Sequence, residues 1–405
     1  MSKARRRPRR KDKTRSEGKP VSWLARLRLA LPGIVVTVFL VFLFSHLGVL
    51  NKLQNAVLDA NMRRNEPPAK SDVVVVKITD DDYQKLFYGS SPLSPVALGR
   101  LIEAVSLGRP KVIGVDLDTS APQFKNLPLP SPTPLIIWER NVKELPESVE
   151  EKPEPLEVLG GRDHTYTERF SGLTLLIDDA EDKVTRRYRR VIETTKGPLD
   201  SFVWAVVKAF HGTHAPPTKD DARDLYIRYY DDREGGAGFR LSASRVMEMT
   251  RDGMLPDDNP FRDKIVLIGG AYLGQDLHDT PVGRRNGVDI LARTIETELG
   301  GGGDPAPGRV VTIFLEIFEG ILTVFLFHFF KEYGLSKALW LNALAVVALA
   351  LACSYIAAHS TWGITYFIPL LLCVLIFEFA VEYRNQLVQK VHKILSGAEI
   401  EIIFI

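Results

Sequence analysis

Residues 263–272, DKIVLIGGAY, decide the fold. Ile265, Val266, Leu267 and Ile268 follow one another without a polar residue and end in Gly269 and Gly270. An uninterrupted apolar run of this length marks a strand covered on both faces, as in a parallel sheet. Two earlier stretches share the pattern: residues 71–80, SDVVVVKITD, and residues 111–120, KVIGVDLDTS. Between them, in VALGRLIEAVSLGRP, Val96, Leu98, Leu101, Ile102 and Val105 fall at helical spacing. Strand, helix and strand in this order predict a right-handed parallel crossover.

Further segments extend an α/β pattern over residues 51–308. SFVWAVVKAFHG (201–212), SASRVMEM (242–249) and DILARTIETEL (289–299) read as helices, and LYIRYYD (225–231) as a strand. SGLTLLIDDAEDKVTRRYRRVIET (171–194) reads as two strands around a turn at Asp178–Asp182. Gln123–Glu157 is rich in Pro, Glu and Lys, which predicts a partly mobile surface excursion interrupted by one short strand, PLIIWER (134–140). LGQDLHDTPVGRRNGV (273–288) reads as a loop, and GGGDPAPG (301–308) as a linker.

Four apolar blocks frame this region. The first, Leu29–Leu50, carries no Asp, Glu, Lys or Arg and is long enough to cross a hydrocarbon core of about 30 Å. The others run over about 310–330, 338–358 and 362–380. KARRRPRRKDKTRSEGK (3–19), Lys331, Lys337, Arg384, Lys390 and Lys393 all fall on one side of the resulting topology. The basic-inside rule therefore predicts a multi-pass protein of the inner (plasma) membrane with both termini cytoplasmic. The expected fold class is an extracytoplasmic α/β domain with a mixed, mainly parallel sheet and flanking helices, plus four transmembrane helices, one N-terminal and three C-terminal. The expected organisation is a basic tail over 1–28, a helix over 29–50, the external domain over 51–308, three helices over 309–383 and a tail over 384–405.

Composition narrows the function classes. The formal net charge of +2 makes no bulk case for nucleic acid, and none is expected as a partner. The basic tail suits membrane lipid. The two cysteines, Cys353 and Cys373, lie in apolar blocks, so the external domain holds no disulfide framework. No cofactor is expected.

Three stretches carry a family resemblance: VVVVKITDDDY (73–83), RLIEAVSLGRPKVIGVDLDTS (100–120) and DKIVLIGGAYLGQDLHDTPVGRRNGVDILARTIETEL (263–299). The last holds a D-x-x-x-T-P-x-G core from Asp276 to Gly283. Together with one apolar block before and three after, they resemble the second type of the extracellular sensory domain associated with cyclases and histidine kinases, the CHASE group. The resemblance implies sensing, dimerisation and an output module behind the last span. Here only RNQLVQKVHKILSGAEIEIIFI follows Tyr383, so the expectation is a non-enzymatic sensor that signals to a separately encoded cytoplasmic kinase or cyclase. Its C-terminal YRNQLVQKVHKIL extends the last span or lies on the lipid surface.

Ligands of open α/β sheets bind beyond the carboxyl ends of the strands. Asp80, Asp116, Asp118, Gly270, Asp276 and His278 follow the three buried strands and are the candidate ligand residues. If the strands are neighbours, several carboxylates and one imidazole converge, suiting a cation, a hydroxylated molecule or an amine. The alternative for Asp80, Asp81 and Asp82 is helix capping. Glu316, Glu319 and Glu378 are candidate intramembrane contacts, because hydrocarbon penalises charge. An envelope assembly or scaffold protein is the second functional reading. A third rests on VIGVDLDTS, which resembles the D-x-D-x-T motif of haloacid-dehalogenase-like phosphatases, with Asp116 as nucleophile, Asp118 as acid/base, and Asp276 and Asp279 as the distal pair.

Overall fold

The computed structural model describes residue 39, most of residues 51–305 and isolated positions between 340 and 391. The four apolar blocks, and with them Glu316, Glu319 and Glu378, lie outside the described residues. Among the described residues no helix is long and apolar enough to cross a membrane.

In chain order the helices are α1 (Asn51–Met62), α2 (Asp80–Lys85), α3 (Pro95–Ser106), α4 (Phe202–His211), α5 (Ala243–Met249) and α6 (Gly287–Leu299). The strands are β1 (Val73–Thr79), β2 (Val112–Asp116), β3 (Ile136–Arg140), β4 (Ser171–Leu173), β5 (Ile177–Asp178), β6 (Thr185–Tyr188), β7 (Val191–Thr194), β8 (Gly197–Asp200), β9 (Leu225–Tyr226), β10 (Phe239–Ser242), β11 (Ile265–Ala271), β12 (Leu277–His278) and β13 (Arg285–Asn286).

Six strands form one sheet in the order β10-β1-β11-β2-β3-β4, and every pairing in it is parallel. The antiparallel pairings lie in small ribbons outside it: β5-β6-β9, β7-β8 and β12-β13. β11 enters last yet sits between β1 and β2, matched to seven residues of β1 and five of β2. The three apolar runs are thus neighbours.

Both faces of the sheet are covered. Val74, Val76, Ile78, Ile113, Val115, Ile136, Trp138, Val266 and Ile268 pack against α2, α3 and α5. Val73, Val75, Val112, Ile137, Ile265 and Leu267 point the other way, against α4 and α6. The strand alternation hands each face to one helical layer. Ser94 caps α3, with Pro95 in its first turn, and its buried side carries Leu98, Leu101, Ile102 and Val105. Val96 is 53% exposed, because the helix turns it outward.

Several expectations need correction. PLIIWER is not an island in a surface excursion: β3 is a full member of the sheet, with Ile136 and Trp138 fully buried. The 171–194 stretch supplies four strands, because β4 joins the parallel sheet before the chain turns back through β5, β6 and β7. The 273–288 loop contains the β12–β13 ribbon. Helix α1 and strand β10 carry too little apolar pattern to stand out: β10 is an edge strand of four residues with Phe239 60% exposed.

Helix α1 is clasped to the domain. Its Leu58 and Met62 pack with Tyr188, Leu225, Ile227, Tyr229 and Ile290. Its Asp59 accepts two hydrogen bonds from Arg186 on β6, at 2.6 and 3.0 Å. The guanidinium is 1% exposed and also donates to Asp179 and Asp182. Three carboxylates around a cation that never deprotonates make a dry ion cluster, and they hold the Arg186 pKa far above its ordinary value despite burial. The other end of the domain grips the same ribbon: Tyr226 N–H donates to the Asp304 carbonyl at 2.9 Å, Leu225 bridges Pro305, and Gly303 N–H donates to the Tyr188 hydroxyl.

Arg186→Met would leave Asp59, Asp179 and Asp182 without their shared cation. The expected cost is about 3–5 kcal/mol, read as a lowered midpoint of denaturant unfolding of the purified protein. A loss below about 1 kcal/mol would mean the cluster is not held as described.

Candidate functional site

The site lies at the carboxyl ends of β11, β2, β3 and β4, on the face covered by α4 and α6. Four residues stand there in a row. Gly269 of β11 is registered with Asp116 of β2, and Glu139 of β3 with Gly172 of β4. The β2–β3 register pairs Val115 with Trp138, which sets Asp116 beside Glu139. Strand alternation turns both carboxylates to the face of Val112 and Ile137.

The flanking glycines bring the helix starts down onto the sheet. A Cβ on Gly269 would stand 2.5 Å from Val288 Cγ2 in the first turn of α6. A Cβ on Gly172 would stand 2.5 Å from Phe202 Cα at the start of α4. The carboxylates therefore occupy a crevice between two helix N-termini. The β12 strand and the residue before it close one side. Asp276 lies against Gly287, and its carbonyl accepts from Gly287 N–H at 3.0 Å. Its Oδ1 is 3.0 Å from His278 Nε2, whose Nδ1 is 3.8 Å from Asp178.

Electrostatics distinguish the members. Burial pushes Asp116 up to about 8, repulsion by Asp276 adds to this, and His278 opposes it. Burial also holds Glu139 well above the usual carboxylate range, with repulsion from Asp116, Asp118 and Asp276. Hydrogen bonding to Asp276 raises the His278 pKa against partial burial, and Asp178 adds to it. Tyr272 stacks on Tyr83 with ring centroids 4.5 Å apart. Burial raises its phenol pKa, and Tyr83, Glu139 and Asp276 raise it further.

The predicted residues divide into two sets. Asp116, Asp276 and His278 converge. Asp80 instead accepts from Leu273 N–H at 2.7 Å and fixes the turn after β11. Asp82, beside it, completes a capping box with Thr79 and accepts from Ala243 and Ser244 N–H, so it holds the start of α5. The capping alternative holds for Asp82, whereas Asp80 orders a turn, and Asp81 pairs with Lys85 on the surface. Asp118 is exposed and accepts from Ser120 N–H at 2.8 Å, which orders the turn after β2. Gly270 faces the Tyr272 ring, and the close approach belongs to Gly269. Glu139 was not singled out from sequence, although a lone Glu in the buried run PLIIWER is the signal that marks it. Among the described residues no group of three His, Cys, Asp or Glu is placed to hold a metal ion.

As an acyl-phosphate nucleophile Asp116 is poorly suited. Burial favours the neutral Asp116 carboxyl over the anion that a nucleophile needs, and Asp118 Oδ1 accepts from Ser120 N–H.

A family model described as the CHASE2 domain matches residues 35–329. No curated protein and no solved structure matches the chain.

Two outcomes follow from the crevice. Gly269→Ala drives a methyl into Val288 and is expected to lower unfolding stability by about 1–3 kcal/mol; an unchanged midpoint would show that α6 stands off the sheet. The second concerns pH. The Asp116 carboxyl titrates near 3.8 when unfolded and at about 8 when folded, so the folded state binds the extra proton between these values. Stability from this group is therefore present at low pH and lost as pH rises from about 4 to about 8. Unfolding midpoints of the wild type relative to Asp116→Asn should fall across that window; a difference that stays flat or rises contradicts the assignment.

Proposed function

We propose, from the premise that this chain belongs to the CHASE2 domain family of sensory domains, that it is a membrane sensor whose crevice reports occupancy to the cytoplasmic side. In this reading residues 51–308 lie outside the inner (plasma) membrane, the four apolar blocks cross it, and the basic tail rests against anionic lipid. A cytoplasmic kinase or cyclase, separately encoded, receives the signal, and the sensor works as a homodimer. The chain itself carries out no catalytic step.

One observation carries the proposal. The crevice and both ends of the domain meet on the same ribbon, β5-β6-β9. From the crevice side, His278 faces Asp178 of β5, and Thr185 N–H on β6 donates to the Asp279 carbonyl at 2.8 Å. From the N-terminal side, Asp59 of α1 is bound to Arg186 of β6. From the C-terminal side, Asp304 and Pro305 are paired to β9. A ligand that favours one arrangement of β12 thereby favours one arrangement of the ribbon, and both chain ends follow it. Such differential preference is what coupling between sites requires.

The test is capture from membranes in mild detergent. A kinase or cyclase is expected to co-purify with the wild-type chain, and Asp59→Asn is expected to weaken its response to occupancy without removing the partner. Recovery of envelope assembly machinery alone would replace sensing by scaffolding. Topology is tested separately: external protease should cut within residues 51–308 and leave an N-terminal tag intact. A tag labelled from outside would invert the arrangement.

A further inference from the structure

We propose that His278 is a proton-operated latch between the β12 segment and the ribbon β5-β6-β9, closed when the imidazole is charged and released when it is neutral. The proposal deepens the sensory reading by naming a cue, the pH of the compartment that the domain faces. It rests on that reading only for what the latch reports to.

The first observation is the placement of the ring between two carboxylates on separate elements. Nε2 stands 3.0 Å from Oδ1 of Asp276, just before β12, and Nδ1 stands 3.8 Å from Oδ1 of Asp178 on β5. An imidazolium carries an N–H on each nitrogen and one positive charge, so it answers both carboxylates at once. A neutral imidazole keeps one N–H, and its other nitrogen then turns a lone pair toward an anionic oxygen. Asp178 is not free to follow the ring, because Thr185 Oγ1 donates to its Oδ1 at 2.5 Å. Loss of the proton therefore turns an attraction across the gap into a repulsion, and the longer contact, to Asp178, gives way.

The other charges around the ring leave this balance standing. Arg285 lies opposite His278 in the β12–β13 register, and Arg284 is turned to Asp279. From β2, Asp116 is close enough to interact with the ring. The hydrogen bond to Asp276 outweighs partial burial and holds the imidazole above its ordinary pKa, with Asp178 adding to it. An ordinary imidazole titrates at about 6.5. The latch is therefore closed below about pH 6.5 and opens as pH rises through the raised folded value.

The second observation is what the latch is joined to. The next residue, Asp279, accepts from Thr185 N–H of β6 at 2.8 Å and bridges Val184. Thr185 thus meets Asp178 with its hydroxyl and Asp279 with its N–H. The following positions of β6 reach both ends of the domain: Arg186 is bound to Asp59 of α1, and the Tyr188 hydroxyl accepts from Gly303 N–H.

Hydrogen exchange of the full chain in nanodiscs, corrected for the intrinsic pH dependence of amide exchange, tests this. Between about pH 6 and about pH 8, protection of residues 276–279 and of the Thr185 amide is expected to fall several-fold in the wild type. The fall should persist in Asp116→Asn, which removes a carboxyl that titrates over an overlapping range. His278→Gln should hold protection flat at its alkaline level. Asp178→Asn removes one of the two anions and should move the fall to lower pH. His211→Gln, an exposed residue at the end of α4, should leave the fall where it is. The proposal is overturned if wild-type protection does not change with pH, if the fall disappears in Asp116→Asn or moves in His211→Gln, if His278→Gln titrates like the wild type, or if Asp178→Asn leaves the midpoint unmoved. Should His278→Gln fail to fold, the Asp178→Asn shift decides. No partner protein takes part, so a pH-dependent latch in a chain that captures only envelope machinery removes the sensory reading and leaves the latch. A captured kinase or cyclase without a pH response overturns the latch alone.

Discussion

The architecture turns on where β11 sits. It leaves its backbone N–H and C=O groups to be matched by β1 on one side and β2 on the other, strands made about 190 and about 150 residues earlier. A strand pairing on both edges and covered on both faces has no solvent to satisfy it, so the slot must fit in register or not form. Everything else is hung on this insertion. It separates β1 from β2 and opens the crevice that follows from reversed strand order, and it delivers α6 directly onto the face where Asp116 emerges.

The same insertion explains why the carboxylates are kept. Gly269 and Gly172 remove side chains from the row so that α6 and α4 reach the sheet, and this leaves Asp116 and Glu139 in surroundings of low polarity between helix starts. The helices are held by apolar contacts of Val288, Leu291, Ile295, Phe202 and Val206. The packing that stabilises the domain is therefore the packing that raises the two pKa values. Stability and the raised carboxyl pKa values come from one arrangement, a pattern met where function is written into a core.

Much of the layering was legible in the chain. The β-branched runs of β1, β2 and β11 and the 3.6-residue periodicity of α3 and α4 are local signals, and each segment folds as its pattern demands. Strand order was not legible, because periodicity says which face is buried and nothing of which neighbour pairs. For the same reason Asp116 and Asp276 stood out as strand-end carboxylates, while Glu139 hid inside a segment whose Pro- and Glu-rich flanks suggested a surface excursion. Asp80 and Asp82 show the converse: identical residues at a strand end were consumed as acceptors for backbone N–H groups, from Leu273 for Asp80 and from Thr79, Ala243 and Ser244 for Asp82. The Arg186 cluster was out of reach from sequence, since its partners are separated by 127 residues on one side and four to seven on the other.

The clasp of α1 and the 303–305 segment on one ribbon sets a mechanical property. Tension applied between the two ends of the domain is carried through Asp59, the Arg186 guanidinium, β6, β9 and the Asp304 carbonyl. The parallel sheet stands aside from that load path, so stretching shears a short ribbon and an ion cluster instead of peeling strands apart. The ion cluster in that path is electrostatic but buried, with the Arg186 guanidinium 1% exposed, so salt screens it little and it keeps its hold as ionic strength rises.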